Sequence, residues 1–124
     1  MNQQYLELFQ MVARNGAINA EKSIEALQKD TEKDHEKDIQ VMLEMRDSFN
    51  EIEDKLLKGE TPNQLEFVKL FAGALVSRNL IQKNIDTWTA VVKEYDDNLI
   101  PKLKEIGSCN TEEQFNSYIE DYFS

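Results

Sequence analysis

An all-α fold, an antiparallel bundle of four principal helices with one unusually long third helix, is what this 124-residue chain predicts. Three observations carry the expectation. Its four glycines and two prolines fall where helices would need punctuation. A heptad seam spaced alternately by four and three residues runs through Phe67, Phe71, Ala74, Arg78, Ile81, Ile85, Trp88, Val92, Tyr95 and Leu99. A second seam passes through Met42, Met45, Phe49, Ile52 and Leu56. Such spacing keeps a narrow apolar stripe facing a partner helix that winds around it with a left-handed twist.

The first helix is expected over residues 2–29, where Tyr5, Leu8, Phe9, Val12, Gly16, Ala20, Ile24 and Leu27 can share one face. Asn15-Gly16 is also a stop signal that would split it, and Met11 and Ile18 fall on the opposite face. The second helix is expected over 31–58. Lys58-Gly59-Glu60-Thr61-Pro62-Asn63-Gln64 then reads as a turn, with Gly59 closing one helix, Thr61 capping the next, Pro62 at its first position and Gln64 completing a capping box.

An uninterrupted third helix over 62–99 would be about 55 Å long. Its first half is apolar nearly all round, since Leu65, Val68, Ala72, Leu75 and Val76 add a second face to the seam, and so should be central. Pro101 disfavours helical geometry at Ile100 and removes a donor, which predicts a kink or stop followed by a short extra helical turn through Ile106. The last helix is expected over 111–123, capped by Thr111 with Gln114 as reciprocal partner, its face formed by Phe115, Tyr118, Ile119 and Tyr122. One domain, residues 1–124, suits this length.

The apolar fraction of 40% and the eleven aromatics (six Phe, four Tyr, one Trp) argue against disorder. The longest apolar run, Phe71 to Val76, is too short to span a bilayer. The N-terminus lacks the basic and apolar blocks of a secretory signal, and a single cysteine, Cys109, cannot form an internal disulfide, so the expected setting is the cytoplasm.

The formal charge of −10 is unevenly spread: residues 31–60 hold ten acids against five bases. A chain of this sign gains nothing from displacing counterions around nucleic acid and is repelled by anionic lipid. A basic protein surface is the partner it suits.

Motifs that would carry chemistry are sparse. Glu32-x-x-His35, with Asp38 three residues on, has the carboxylate–imidazole spacing of ferritin-like di-iron helices, but those bundles use the pair twice and this chain has one histidine. The plainer reading is a solvated helix start with favourable acids. Cys109 lies in a loop near a helix start, where a dipole favours thiolate, yet no base is near it in sequence. Trp88 and Tyr95 belong to the seam and so to the core, or to an interface if the long helix projects. Arg78 interrupts the seam and suits a carboxylate of the second helix, Glu44 or Glu53, or a head extended into solvent. Adjacent acids such as Asp96-Asp97 and Glu112-Glu113 point apart on a helix and do not form a catalytic pair.

The expectation is therefore a non-enzymatic protein-binding module of inhibitor, immunity or adaptor type, without cofactor or metal, that meets a basic surface and can imitate nucleic acid. Its contacts are expected on the outward face of the second helix at Glu36, Glu44, Asp47, Glu51 and Asp54. The alternatives are a self-associating structural bundle, a homodimer through the exposed end of the long helix, and a small metal- or ligand-binding bundle around His35.

Overall fold

The computed structural model of the chain describes residues 3–84 and 89–123, and every regular element among them is helical. Helix α1 spans Gln3–Lys29, α2 Glu36–Leu57, α3 Gln64–Asn84, α4 Thr89–Glu94, α5 Ile100–Gly107 and α6 Glu112–Phe123, with a π-helical turn at Tyr95–Leu99 between α4 and α5.

Helix α1 runs unbroken through Asn15-Gly16. The glycine is there for space, because a Cβ at Gly16 would lie 2.8 Å from the Phe49 ring of α2. At the tip of that ring, a Cβ at Gly73 of α3 would lie 2.9 Å from Phe49 Cζ. Two glycines thus let three helices converge on one aromatic side chain.

Helix α2 begins at Glu36 rather than at 31. Asp30 accepts the backbone N–H of Glu32 at 3.1 Å and Asp34 that of Glu36 at 3.0 Å, and such short-range side-chain bonds compete with helix formation. At its other end Gly59 takes φ 76°, with its N–H bonded to Leu56 O and that of Glu60 to Lys55 O, the two bonds of a Schellman stop. The expected Thr61/Gln64 box is displaced by two residues: Asn63 accepts from Glu66 N at 2.9 Å and Glu66 accepts from Asn63 N at 2.9 Å. Asn is as good a cap as Thr, and Glu66 has a second reason to be there, its ion pair with Lys55 of α2 at 2.8 Å.

The single long third helix is overturned by Arg78, which grips Asp96 rather than Glu44 or Glu53. On one helix these residues would be about 27 Å apart, yet both guanidinium–carboxylate bonds are 2.9 Å. Gln64 likewise donates to the carbonyl of Gly107 at 3.3 Å and to that of Cys109. The run 89–107 therefore lies alongside α3 instead of extending it. Ile85 and Trp88, the seam positions between them, lie outside the described residues.

Seam positions on both sides still turn inward: Phe67, Ala74, Tyr95 and Leu99 are buried in one core with Phe9, Val12, Ile52, Leu56, Leu70, Leu103 and Ile106. The first half of α3 is not central. Leu65 is 63% exposed and Val76 51%, with Val68 and Leu75 also open, because α1 and α5 cover only part of the helix circumference.

Pro101 does not stop the chain. Ile100 keeps helical angles and its N–H bonds to Tyr95 O, five residues back. In a regular α-helix the proline ring would strike the carbonyl of Asp97 and leave it without a donor; the wider π turn just before Pro101 is a local change of the kind that absorbs such a conflict. Thr111 caps α6 as expected, accepting from Gln114 N at 3.1 Å, while the Gln114 side chain reaches Asn110 N at 3.0 Å.

Candidate functional site

Helices α1 and α2 lie side by side along most of their length. Arg14 reaches Glu53 at 3.4 Å, Glu21 meets Arg46 at 2.8 Å, and beyond α1 Asp30 meets His35 at 2.8 Å. Helix α3 crosses this pair at the Gly16–Phe49–Gly73 junction. Beyond the crossing an apolar cavity of about 220 Å³ opens, walled by Gly16, Asn19, Ala20 and Ser23 of α1, Met42, Met45 and Phe49 of α2, and Ala72, Gly73 and Val76 of α3.

The cavity continues along the α1–α2 seam. Ser23 and Met42 also wall the next depression, which Ala26, Leu27, Val41 and Asp38 complete. Leu27 in turn belongs to a third, lined by Asp30, Lys33, Asp34, His35, Glu36, Ile39 and Gln40. The first two depressions form one largely apolar trough, whereas the third, bounded by Glu36, Ile39 and Gln40, lies on the opposite side of α2 at the α1–α2 connection.

His35 is anchored at the α1–α2 connection. Its Nε2 lies 2.8 Å from Asp30 Oδ2 and its Nδ1 3.8 Å from Asp38 Oδ2. The Asp30 bond raises its pKa above 6.5, opposed by desolvation, and in return His35 and the Glu32 N–H hold Asp30 below 3.8. Glu32, placed before the start of α2, does not sit one helical turn from His35. Among the described residues no group of three or more His, Cys, Asp or Glu is arranged to hold a metal.

The five acids expected at an interface are all exposed on α2. At 100° per residue, Glu36, Glu44, Asp47, Glu51 and Asp54 fall within about 80° of one another, roughly opposite Met45 and Phe49. They form an outer stripe, and the trough lies on the other side of the helix. Asp47 is paired with Arg46 of its own helix at 3.1 Å, and Glu44 accepts a bond from Gln40. Glu36 also lines the separate depression at the α1–α2 connection.

Cys109 is 8% exposed, its thiol directed to Glu105 O at 3.5 Å, and burial pushes its pKa up. That environment disfavours thiolate and leaves the side chain a packing group. Tyr95 is 1% exposed, and its hydroxyl makes no hydrogen bond of normal geometry among the described residues; burial raises its pKa, with Asn15 pulling weakly the other way. No helix among the described residues is long and apolar enough to cross a membrane.

Compared with known families, curated proteins and solved structures, the chain shows no significant match. The trough escaped sequence reasoning because its walls come from three helices. Its one visible signal was the surplus of apolar residues on α3, which reads as burial.

Proposed function

We propose that this chain is a small acidic, non-enzymatic protein-binding module, of inhibitor or adaptor type, that engages a basic surface on another protein. The scaffold for this role is an antiparallel arrangement of α1, α2, α3 and the run 89–107, with α6 appended. The observation that carries the reading is the outer stripe of α2, where Glu36, Glu44, Asp47, Glu51 and Asp54 share one exposed arc; Arg46 binds Asp47 as well as Glu21, while Lys55 is drawn toward Glu66. Five acids on one exposed arc give the stripe a negative field, and such a field speeds and orients encounter more than it deepens affinity.

The test is retention of partners from lysate of the protein's own host by wild type and by the triple variant Glu44→Lys, Asp47→Lys, Glu51→Lys. Partners held at low salt should be released as ionic strength rises and should be lost by the variant, with helicity unchanged. Retention indifferent to both salt and charge reversal would exclude the stripe as a recognition surface.

Self-association is a second reading, favoured by the open apolar positions Leu65, Val68, Leu75 and Val76 on α3. Sedimentation decides it: a dimer that grows with concentration and is abolished by Leu65→Glu with Leu75→Glu supports it, and a monomer throughout removes it.

A further inference from the structure

Along the open face of α3, Leu65, Val68, Ala72, Leu75 and Asn79 follow one another at intervals of three, four, three and four residues, and all five are exposed. From this outward heptad stripe we infer that a second copy of the chain covers α3, the two α3 helices lying parallel and in register about a twofold axis that runs along them. The inference rests on the self-association reading and adds the surface, the direction and the register.

The spacing selects a helix as the occupant. A 3.5-residue repeat holds a narrow stripe against another helix over its whole length. The inward positions Phe67, Leu70 and Ala74 of α3 are already buried in the chain's own core, so the outward repeat is a second and separate one. Within it Leu65, Ala72 and Asn79 take one set of facing positions and Val68 and Leu75 the other. A lone asparagine among facing positions of the first set is the device that fixes register in parallel helix pairs, because a buried amide is costly unless it meets a polar partner, and the same amide of the other copy supplies one.

The flanks of the stripe select the direction. On one side lies α2, where Lys69 of α3 donates to Ser48 Oγ at 2.7 Å and Glu44 and Glu51 stand four residues before and three after Ser48 on the same edge. On the other side lies α5, where a Cβ at Gly107 would meet Val68 at 3.1 Å. Lys104, exposed one turn before Gly107, sits on the outer side of it, away from the buried Leu103 and Ile106. The α2 edge is thus acidic and the α5 edge basic, with Glu51 and Lys104 within about one turn of each other along α3.

Parallel pairing about a twofold axis sets the α2 edge of each copy against the α5 edge of the other, so that Glu51 faces Lys104 twice. Antiparallel pairing about Ala72 would set α2 edge against α2 edge, Glu44 and Glu51 toward the same two acids, and like charges so placed oppose association. The open arc of α3 brings no acid of its own. In the parallel register Lys69 falls opposite Gln64, and Lys83 opposite Arg78, whose charge Asp96 already matches. Two heptads span only about 21 Å of helix, which places the contact among weak, reversible ones.

Sedimentation equilibrium of the full chain from about 1 µM to 1 mM should show monomer passing to dimer and nothing larger, since a twofold contact closes on itself. Leu75→Glu, at an open position, should weaken the dimer at least about tenfold with helicity unchanged. Asn79→Cys reads the direction: the parallel register brings the two substituted positions within disulfide range, so this variant should cross-link by itself under mild oxidant, while the wild type, with its one thiol buried, should not. In the antiparallel pair those positions would stand about 21 Å apart, and only a mixture of Asn79→Cys with Leu65→Cys would cross-link. Lys104→Glu should weaken the dimer, and adding Glu51→Lys should restore it. A monomer at every concentration overturns this inference together with the self-association reading. A dimer that survives Leu75→Glu, that cross-links only in the mixture, or that ignores both Lys104→Glu and the charge exchange leaves self-association standing and overturns the parallel pairing through α3.

Discussion

Phe49 of α2 fills the space left by the missing side chain of Gly16 on α1, so closely that a Cβ there would fall within 2.8 to 2.9 Å of three ring carbons. The tip of the ring meets Gly73, which makes Phe49 the point at which α1, α2 and α3 converge. Phe49→Ala should cost about 3–5 kcal/mol by leaving a cavity at that point. Gly16→Ala should cost about 1–3 kcal/mol by displacing the ring, and much of that loss should disappear when it is combined with Phe49→Leu. Urea unfolding of the two single variants and the double variant measures the coupling; strict additivity would show that the ring and the glycine do not constrain each other.

Asp96 is held below the usual carboxylate range chiefly by its bond to Arg78, with desolvation working against it. A depressed folded pKa means that the stabilisation is complete above the unfolded value of 3.8 and is lost as pH falls through the lower folded value. Asp96→Asn should therefore lower Tm at neutral pH, and the gap from wild type should close below pH 3.8. Thermal melts of both proteins from pH 7 down to pH 2 check the sign, since a gap that widened in acid would contradict it.

His35 works in the opposite direction. Its raised pKa makes the Asp30 contact fully stabilising below pH 6.5 and progressively weaker as pH rises through the higher folded value. The α1–α2 connection should thus be firmest in mildly acidic solution. An NMR titration of the His35 ring should give a midpoint above 6.5, and His35→Asn should lower Tm at pH 5.5 more than at pH 9. A midpoint at or below the ordinary value would remove the ion pair with Asp30.

Cys109 should react slowly with a soluble disulfide reagent in the native protein, because burial both shields the sulfur and raises its pKa. In denaturant the rate at pH 8 should rise by at least about tenfold. Equal rates in the two states would place the thiol in solvent.

What the sequence disclosed and what it concealed divide along physical lines. Helical content, the stop at Gly59 and the cap at Thr111 were legible because each depends on residues within a few positions of one another. The α3 cap was misplaced because Thr61 and Asn63 are equally competent locally, and Glu66 chose between them through Lys55, eleven residues away. A heptad seam reports which side chains turn inward but not whether the chain has reversed, so Phe67 through Leu99 read as one rod until Arg78 was found on Asp96. The outer acids of α2 could be inferred from its periodicity. The trough could not, because Ser23, Met42 and Val76 become neighbours only after three helices have packed.

The π turn between Tyr95 and Leu99 holds one more residue than an α-helix would need to make the same connection. That surplus has a bearing on how the chain can change length. Elsewhere in a packed helix, deleting a residue rotates everything downstream by about 100° and turns buried side chains outward. Here a deletion can be absorbed as the turn tightens, so that Leu103 and Ile106 keep their places beside α3. Tightening would also return Pro101 to regular α-helical surroundings, where its ring meets the carbonyl four residues back. The proline and the extra residue are therefore expected to be gained or lost together, and the segment just before Pro101 is where the chain can shorten by one residue without dismantling its core.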